Sequence, residues 1–215
     1  MQSHRKVFQN FYAEIIAGFI FLAAVAFVRL PFIVGSLASF SLLKASAPLL
    51  GLFGAPVTVF FFLARTGFRV FVHGVSFYNL FQYLPSCAGA LYWATQSAWI
   101  RVGIPLVCII LFIAHPVGFT AAPYALYWLL PIFLYFFAPT SPFFQALAST
   151  FIMHGVGSFI WLYAGLLSSE QWLALIPVVA LERLLFACAM TVAYYMIQAS
   201  KKYFRCHYAV QQGMV

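Results

Sequence analysis

The sequence contains no aspartate, and its only acidic residues are Glu14, Glu170 and Glu182. Charged residues make up 7% of the 215 residues, whereas a soluble globular domain carries about 25%. So few charges cannot cover the surface of a water-soluble protein of this size. The scarcity of carboxylates also argues against the acid and base pairs on which most hydrolases depend.

Motifs that would indicate an enzyme or a cofactor are also missing. The chain has no GxxxxGK[ST] phosphate-binding loop, no GxSxG and no HExxH. Its four cysteines include no CxxC pair, which favours small buried thiols over a disulfide framework or a metal site. His73, His115 and His154 lie on separate apolar segments. We therefore expect a protein that is not an enzyme, hydrolyses no ATP itself and holds neither a metal nor a cofactor.

Apolar side chains dominate instead, with 65% hydrophobic and 20% aromatic residues and a mean hydropathy of +1.00. They form runs that suit the ~30 Å hydrocarbon layer, which takes about 20 helical residues to cross, and they lack the alternation of a transmembrane barrel. The composition predicts an all-α fold, a polytopic transmembrane helix bundle that forms a single integral membrane domain over residues 1–215. The apolar runs are Phe8–Val28, Pro31–Leu43, Ala47–Ala64, Val102–Thr120, Ala122–Ala138, Pro142–Leu167 and Trp172–Ile197.

The positions of lysine and arginine predict how the chain is oriented. These 11 residues give a formal net charge of +8 and separate the apolar runs, so we expect them to set topology and not to bind nucleic acid. Basic residues precede the first run, which we expect to remain as a span, and follow the last, which places both termini in the cytoplasm. About six spanning helices in the cell membrane follow, with Pro31–Leu43 as a short re-entrant or interfacial segment. The alternative is eight spans, in which Pro31–Gly51, Phe53–Val72 and the next stretch all cross.

One apolar run, FIMHGVGSFIW (151–161), carries a histidine in its middle. Thr150, His154, Ser158 and Trp161 are spaced so that they share one face of a helix. Polar groups in a span face other helices or a water-filled space, because contact with acyl chains is costly. The pattern predicts that His154, Ser158 and Trp161 bind a small planar solute. The alternative is that the glycines and Ser158 only allow close helix packing, with His154 bonding a neighbour's carbonyl.

The last apolar run carries Glu182 next to Arg183. Adjacent helical residues point about 100° apart, so we expect each to find a partner elsewhere. The segment SSEQ, starting at Ser168, predicts an N-cap with a capping box. That start puts Glu182 about 18 Å along the helix, close to mid-membrane, where it could contact His154 and join the pocket. The alternative is an ion pair with Arg65, Arg69 or Arg101.

The stretch between Arg69 and Arg101 mixes aromatic and polar side chains, among them Tyr78, Asn79 and Trp93. Such a mixture is typical of a lid or a pocket wall, and these three residues complete the predicted binding set. A segment that lies flat in the membrane interface is the alternative interpretation.

The plan of the chain resembles the S-components, which are the substrate-capturing membrane subunits of energy-coupling-factor vitamin transporters. The segment YAEIIAG places Ala13 and Ala17 four residues apart on the first run, and small residues at this spacing let two helices approach closely. The resemblance implies six helices, cytoplasmic termini and a pocket near the outer face that loops close. It also implies that Ala13 and Ala17 dock on a transmembrane coupling subunit, which acts with separate ATPase subunits.

The leading hypothesis is a substrate-binding membrane subunit or small carrier for uptake of a vitamin-like small polar solute. Three alternatives remain open. A proton-coupled secondary carrier would pass protons through His154 and Glu182. A membrane enzyme would use the same two residues on a lipid-embedded substrate. A structural assembly factor would need neither.

Overall fold

The structure is a computed structural model that describes residues 29–31, 39–41, 46–137, 140–165 and 167–211, with side chains in the range 46–200. The first apolar run, Phe8–Val28, and the predicted docking residues Ala13 and Ala17 lie outside the described residues. The part of the chain that is described is almost entirely helical, which confirms the all-α fold expected from composition.

Two three-residue strands precede the helices, where a short re-entrant segment was expected. β1 (Arg29–Pro31) pairs antiparallel with β2 (Ser39–Ser41), and Leu30 lies opposite Phe40. A 3-10 helix follows at Ala47–Phe53, a π-helix at Trp99–Gly103 leads directly into α4, and a 3-10 turn at Leu126–Trp128 joins α6 to α7. The α-helices are α1 (Ala55–His73), α2 (Phe77–Phe81), α3 (Leu84–Ala94), α4 (Ile104–Ala114), α5 (Pro116–Thr120), α6 (Ala122–Ala125), α7 (Leu129–Phe137), α8 (Pro142–Tyr163), α9 (Ser169–Ala174) and α10 (Ile176–Gln211).

Helix α8 is the central element of the fold. It packs against α3, α4, α7 and α10. Of its most apolar 18-residue window, 61% is buried, against 33% for α10 and 17% for α1. Phe151, Ile152, Val156 and Ile160, which lie away from the polar stripe, are all buried. A helix that is apolar on every side belongs in the interior, so the polar stripe did not decide which face of α8 points inward.

Three described helices are long and apolar enough to cross a membrane: Ala55–His73, Pro142–Tyr163 and Ile176–Ser200. Two further apolar helices, Trp99–Ala114 and Ala122–Phe137, are shorter. Helix α1 exposes Phe60, Leu63, Phe68 and Phe71. Such a surface is unsuited to water and matches hydrocarbon, so these helices are compatible with a membrane protein.

The run Ala47–Ala64 does not form the single helix that its hydropathy predicted. Gly54, at φ 99°, ends the 3-10 helix, and Pro56 then starts α1 in its first turn. Helix α1 continues through Arg65 and Arg69 to His73, although basic residues were expected to separate the apolar runs. Arg65 lies over the Tyr83 ring, at 4.4 Å from the ring centroid. The span is therefore shifted toward the C-terminus.

Arg101 allows the short helix α3 to end inside the protein. The last carbonyl groups of a helix lack intrahelical partners and need others when they are buried. Arg101 is fully buried and supplies them: its Nη2 donates to the Tyr92 carbonyl at 3.1 Å and its Nε to the Thr95 carbonyl at 3.2 Å. Its guanidinium also lies 4.3 Å from the centroid of the Tyr92 ring. The stretch between Arg69 and Arg101 thus contributes a buried helix to the core.

The capping box predicted at Ser168 is confirmed, but the helix it starts is short. The Ser168 hydroxyl accepts from the Gln171 backbone N–H, and the Gln171 side chain accepts from the Ser168 N–H at 2.8 Å. Helix α9 ends at Ala174, and α10 begins at Ile176 with Pro177 in its first turn. The break at Leu175 changes the depth of every residue counted from Ser168.

Candidate functional site

His154 lies on α8 with its ring turned toward α6. The Tyr124 hydroxyl and His154 Nε2 are 2.8 Å apart, and the Ser158 hydroxyl is 3.4 Å from the same nitrogen. Depending on the tautomer, Nε2 either accepts a hydrogen bond from a hydroxyl or donates its own N–H. The contact with Tyr124 is the shorter of the two and is therefore the main hydrogen bond. His154 and Ser158 are therefore together, as predicted, and Tyr124 joins them.

Tyr124 is the centre of an aromatic group. Its ring centroid is 4.9 Å from that of Trp172, 5.5 Å from that of His154 and 6.0 Å from that of Trp128. Most of these ring pairs are edge to face or tilted, the arrangement that aromatic quadrupoles favour. Phe112 of α4 stacks on Tyr124 at 5.7 Å and completes the packing. The ring of Tyr124, on α6, is thus contacted by side chains from α4, α8, α9 and the 3-10 turn.

Glu182 and Arg183 pair with each other, so the expectation that adjacent residues must look elsewhere was wrong. Arg183 Nη2 and Glu182 Oε2 are 2.7 Å apart. The long arginine side chain can bend back across the ~100° that separates neighbours on a helix. Arg183 is 8% exposed and lies over the Phe186 ring at 4.5 Å. It is close enough for its charge to act on both Tyr124 and His154.

The side chain of Glu182 is 34% exposed, and among the described contacts it bonds Arg183 and not His154. Its depth also differs from the prediction, because α10 begins at Ile176. At ~1.5 Å per residue, Glu182 lies about 9 Å into a span of 25 residues, roughly a quarter of the way. Glu182 is therefore connected to the site through its ion pair with Arg183.

Five residues in mutual contact and Arg183, whose charge acts on two of them, form what we call the inner polar cluster: Tyr124, Trp128, His154, Ser158, Trp172 and Arg183. His154 is nine residues before the end of α8 and Arg183 is seven residues after the start of α10. At ~1.5 Å per residue, both lie about 10–14 Å from the same end of the bundle. Helices α5 and α9 contact each other at that end.

Three members of the cluster carry hydrogen-bond donors without partners. The Nε1 groups of Trp128 and Trp172 and the Nε of Arg183 are buried and bond nothing in the described structure. These residues are 0%, 2% and 8% exposed. A buried donor left unpaired costs about 1–3 kcal/mol. Native proteins keep few such groups, and each calls for an explanation.

An apolar groove runs along the outside of the cluster. It has a volume of about 610 Å³ and is lined by apolar side chains of α7, α8 and α10, with Pro123 and Tyr127 at the side nearest the cluster. Tyr127 stacks on Phe151 and donates its hydroxyl to the Ile176 carbonyl at 2.7 Å. The lining of the groove suits hydrocarbon, and the groove is not the hydrated cavity that a polar solute needs.

The other predicted pocket residues lie elsewhere. Trp161 is 49% exposed and Tyr78 is 56% exposed, so neither faces the cluster. The Asn79 side chain donates to the Gly74 carbonyl at 2.9 Å and accepts from Arg69 Nε at 3.3 Å, so it closes the turn after α1. Trp93 stacks on Tyr194 of α10, with ring centroids 5.4 Å apart. These four residues have local packing or surface roles.

Tyr124, Trp128 and Trp172 were not predicted as site residues, and Arg183 was considered only as a neighbour of Glu182. Tyr124 and Trp128 are four residues apart in PYALYW, so they share a face of any helix formed there. That spacing was a usable signal. Nothing local marks Trp172, because its place over Tyr124 depends on the break at Leu175.

The cluster can orient a bound molecule and exchange hydrogen bonds with it. It has aromatic faces, three unpaired N–H donors, two hydroxyls and one imidazole. Across the described ranges, no three His, Cys, Asp or Glu side chains gather as a metal site. Comparison of the chain with family models, with curated proteins and with solved structures finds no match in any of the three.

Proposed function

We propose that the protein is a substrate-binding membrane subunit or small carrier that takes up a small polar solute through the inner polar cluster. The observation that carries the proposal is the hydrogen bond between Tyr124 and His154 inside the protein, with the charge of the buried Arg183, whose Nε is unpaired, acting on both residues. Ionisable residues inside a membrane segment are rare and usually mark a path or a binding site. Polar groups at this depth are better explained by hydrogen bonds to a solute than by helix packing.

The proposed topology has six spans, namely the first apolar run Phe8–Val28 and the five apolar helical segments described above. Lys201, Lys202 and Arg205 follow the apolar segment of α10, which ends at Ser200, at the end of the helix that is far from the cluster. If basic residues stay in the cytoplasm, the cluster lies near the outer face. A solute arriving from outside would then meet α5 and α9 first.

The energy for uptake would come from other chains. The sequence has no phosphate-binding loop, so ATP would be hydrolysed by separate ATPase subunits that act through a transmembrane coupling subunit. Ala13 and Ala17 on the first run are the proposed docking contacts. Co-purification from a native membrane tests this part, because it should recover two ATPase subunits and the coupler, and Ala13→Leu should lose them.

Solute binding can be measured directly on the protein in lipid nanodiscs, with a panel of radiolabelled water-soluble vitamins and nucleobases. We expect one saturable ligand for the wild type and at least tenfold weaker binding for Tyr124→Phe, which removes the hydroxyl bonded to His154. Tyr195→Phe is the matched control, since Tyr195 is 58% exposed on α10. Saturable binding that Tyr124→Phe leaves unchanged would place the solute elsewhere and refute the proposal.

The apolar groove favours a second candidate, a membrane enzyme that acts on a lipid-embedded substrate. Its 610 Å³ could hold a hydrocarbon chain, with the reacting group beside Tyr127 and the cluster beyond. His154 would be the base in that case. Turnover of a lipid or isoprenoid substrate in nanodiscs, lost in His154→Gln, would support the enzyme, and binding without turnover would support the carrier.

A further inference from the structure

The unpaired polar groups inside the described structure are all of one kind. They are Gln82 Nε2, Trp93 Nε1, Arg101 Nη1, Trp128 Nε1, Trp172 Nε1 and Arg183 Nε, and each is an N–H donor. Three of the six belong to the inner polar cluster. A ligand that satisfies them must present acceptors, such as carbonyl oxygens or ring nitrogens, because a further donor would leave both sides unpaired.

The charges of the cluster indicate whether its ligand is a neutral hydrogen-bond acceptor or an anion. Glu182 already neutralises Arg183 at 2.7 Å, and an imidazole with an ordinary pKa near 6.5 is mostly neutral at pH 7. No formal positive charge is therefore left to pair with a carboxylate or phosphate. Bringing an unpaired charge to this depth carries a large desolvation cost, so the site favours an uncharged ligand.

The shape of the cluster favours a flat ligand. Its walls are the rings of Tyr124, Trp128, His154 and Trp172, with centroid separations of 4.9–6.4 Å. Aromatic walls bind planar rings by stacking or edge contact, while the indole N–H groups read the ring edge. The rings fill the space between them, so a ligand enters by displacing one. Trp172 is carried on the six-residue helix α9 between Gly165, at φ 70°, and the break at Leu175.

From these observations we infer that the solute is an uncharged planar heterocycle whose edge carries hydrogen-bond acceptors. Trp128 and Trp172 donate to that edge, and Arg183 Nε donates alongside while its Nη2 stays on Glu182. This inference rests on the proposed function and names its substrate class. It assigns the two tryptophans as specificity-determining residues, a role that neither hydropathy nor the polar stripe on α8 indicates.

The test uses the intact protein in nanodiscs and pairs of ligands that share a ring and differ in charge: nicotinamide and nicotinate, uracil and orotate, and pyridoxine and pyridoxal phosphate. We expect a neutral member to bind at least tenfold more tightly than its charged partner. Trp128→Phe and Trp172→Phe, which keep an aromatic ring and remove the N–H, should each weaken that binding about tenfold.

Trp93→Phe is the matched control, because Trp93 Nε1 is also buried and unpaired but stacks on Tyr194 away from the cluster. It should leave the affinity within twofold, and near-native thermal unfolding of all three variants confirms that they fold. Tighter binding of a charged member, lost in Arg183→Met, would overturn the neutral-ligand inference and leave the proposed function standing. Binding that neither cluster tryptophan affects but Tyr124→Phe weakens would overturn this inference alone, whereas no saturable binding of any panel member would overturn both.

Discussion

Among the residues whose side chains are described, Arg101 and Arg183 are the two buried arginines, and their charges are stabilised in different ways. Arg101 is held by the Tyr92 and Thr95 carbonyls and by the Tyr92 ring, all within ten residues of it. Arg183 is held by Glu182 on the same helix and lies over the Phe186 ring. Each arginine keeps one buried nitrogen without a partner in the described structure, Nη1 of Arg101 and Nε of Arg183. The first arginine completes the end of a helix. The second is paired with a side-chain carboxylate that could exchange it for a ligand.

This difference indicates how to separate structural from functional charges in a membrane interior. A charge bound to backbone carbonyls of its own segment cannot leave without opening a helix end. A charge that is paired with a neighbour and surrounded by side chains with unmet donors can rearrange at lower cost. Substitutions at Arg101 and at Arg183 should therefore change the free energy of unfolding by different amounts.

The largest effect is expected at Arg101. Replacing Arg101 by Met removes two charge-assisted hydrogen bonds to carbonyls and the contact with the Tyr92 ring. Each bond of this kind contributes about 1.5–3 kcal/mol, so we expect a loss of about 3 kcal/mol in the free energy of unfolding. Reversible unfolding in mixed micelles measures it. Arg65→Met is the control, since Arg65 keeps one ring contact at the edge of the bundle, and it should lose about 0.5 kcal/mol.

The next largest effect is expected at Gly89, where α3 and α8 touch. A Cβ at Gly89 would lie 2.5 Å from Met153 Cγ and 3.2 Å from Ser149 Oγ. Gly89→Leu should therefore overpack this contact and lower the free energy of unfolding by about 2 kcal/mol. Gly67→Leu on α1 is the matched control, because nothing lies within 4 Å of its Cβ. If both variants unfold alike, α3 does not pack closely on α8.

Composition was enough to predict the fold class, and local sequence was enough to predict the capping box at Ser168. The capping box depends on side chains that are close together in the chain, and the fold class depends on the solvent that the whole composition suits. The bounds of the spans were less predictable. Gly54 and the break at Leu175 divide apolar runs whose hydropathy is continuous, so within the described residues hydropathy locates the apolar helices but not their ends.

The candidate site was predicted in part. His154 and Ser158 meet because they are four residues apart on one helix. Trp161 does not join them, because it lies two residues before the end of α8, where the helix is exposed. Tyr124 and Trp172 approach from other segments, and such long-range contacts cannot be read from helical periodicity.

A smaller effect is expected from removing the ion pair of α10 as a whole. Replacing a buried ion pair by neutral groups of similar size is often close to neutral for stability. The double variant Glu182→Gln, Arg183→Met should therefore change the free energy of unfolding by less than about 1 kcal/mol, against the much larger loss for Arg101→Met. Arg183→Met alone should be less stable than the double variant, since it leaves Glu182 unpaired. A loss above about 3 kcal/mol in the double variant would show that both arginines are structural.

The smallest effect is expected at the N-terminus of α9, which holds Trp172 over Tyr124. Ser168→Ala removes the N-cap hydroxyl and should lower the free energy of unfolding by about 0.5 kcal/mol, the lower end of N-cap effects, because the helix is short and exposed. Ser169→Ala is the control, since the Ser169 side chain takes no part in the capping box. Equal unfolding of the two variants would contradict a role for the cap.

The same N-cap predicts a small dependence of stability on pH. The Ser168 hydroxyl donates to Glu170 Oε2 at 2.8 Å and, together with a backbone hydrogen bond, holds the pKa of Glu170 below its ordinary value of 4.5. Because the folded pKa is the lower one, the folded state gains stability above pH 4.5, and this gain disappears as the pH falls through the folded pKa. Acid unfolding curves of the wild type and Ser168→Ala should therefore lie closer together at low pH, where only the bond from the Gln171 N–H still separates them, and differ most at neutral pH. Because Trp172 lies on α9 and Trp93 lies on α3, this change should appear in Trp172 fluorescence and not in a probe at Trp93.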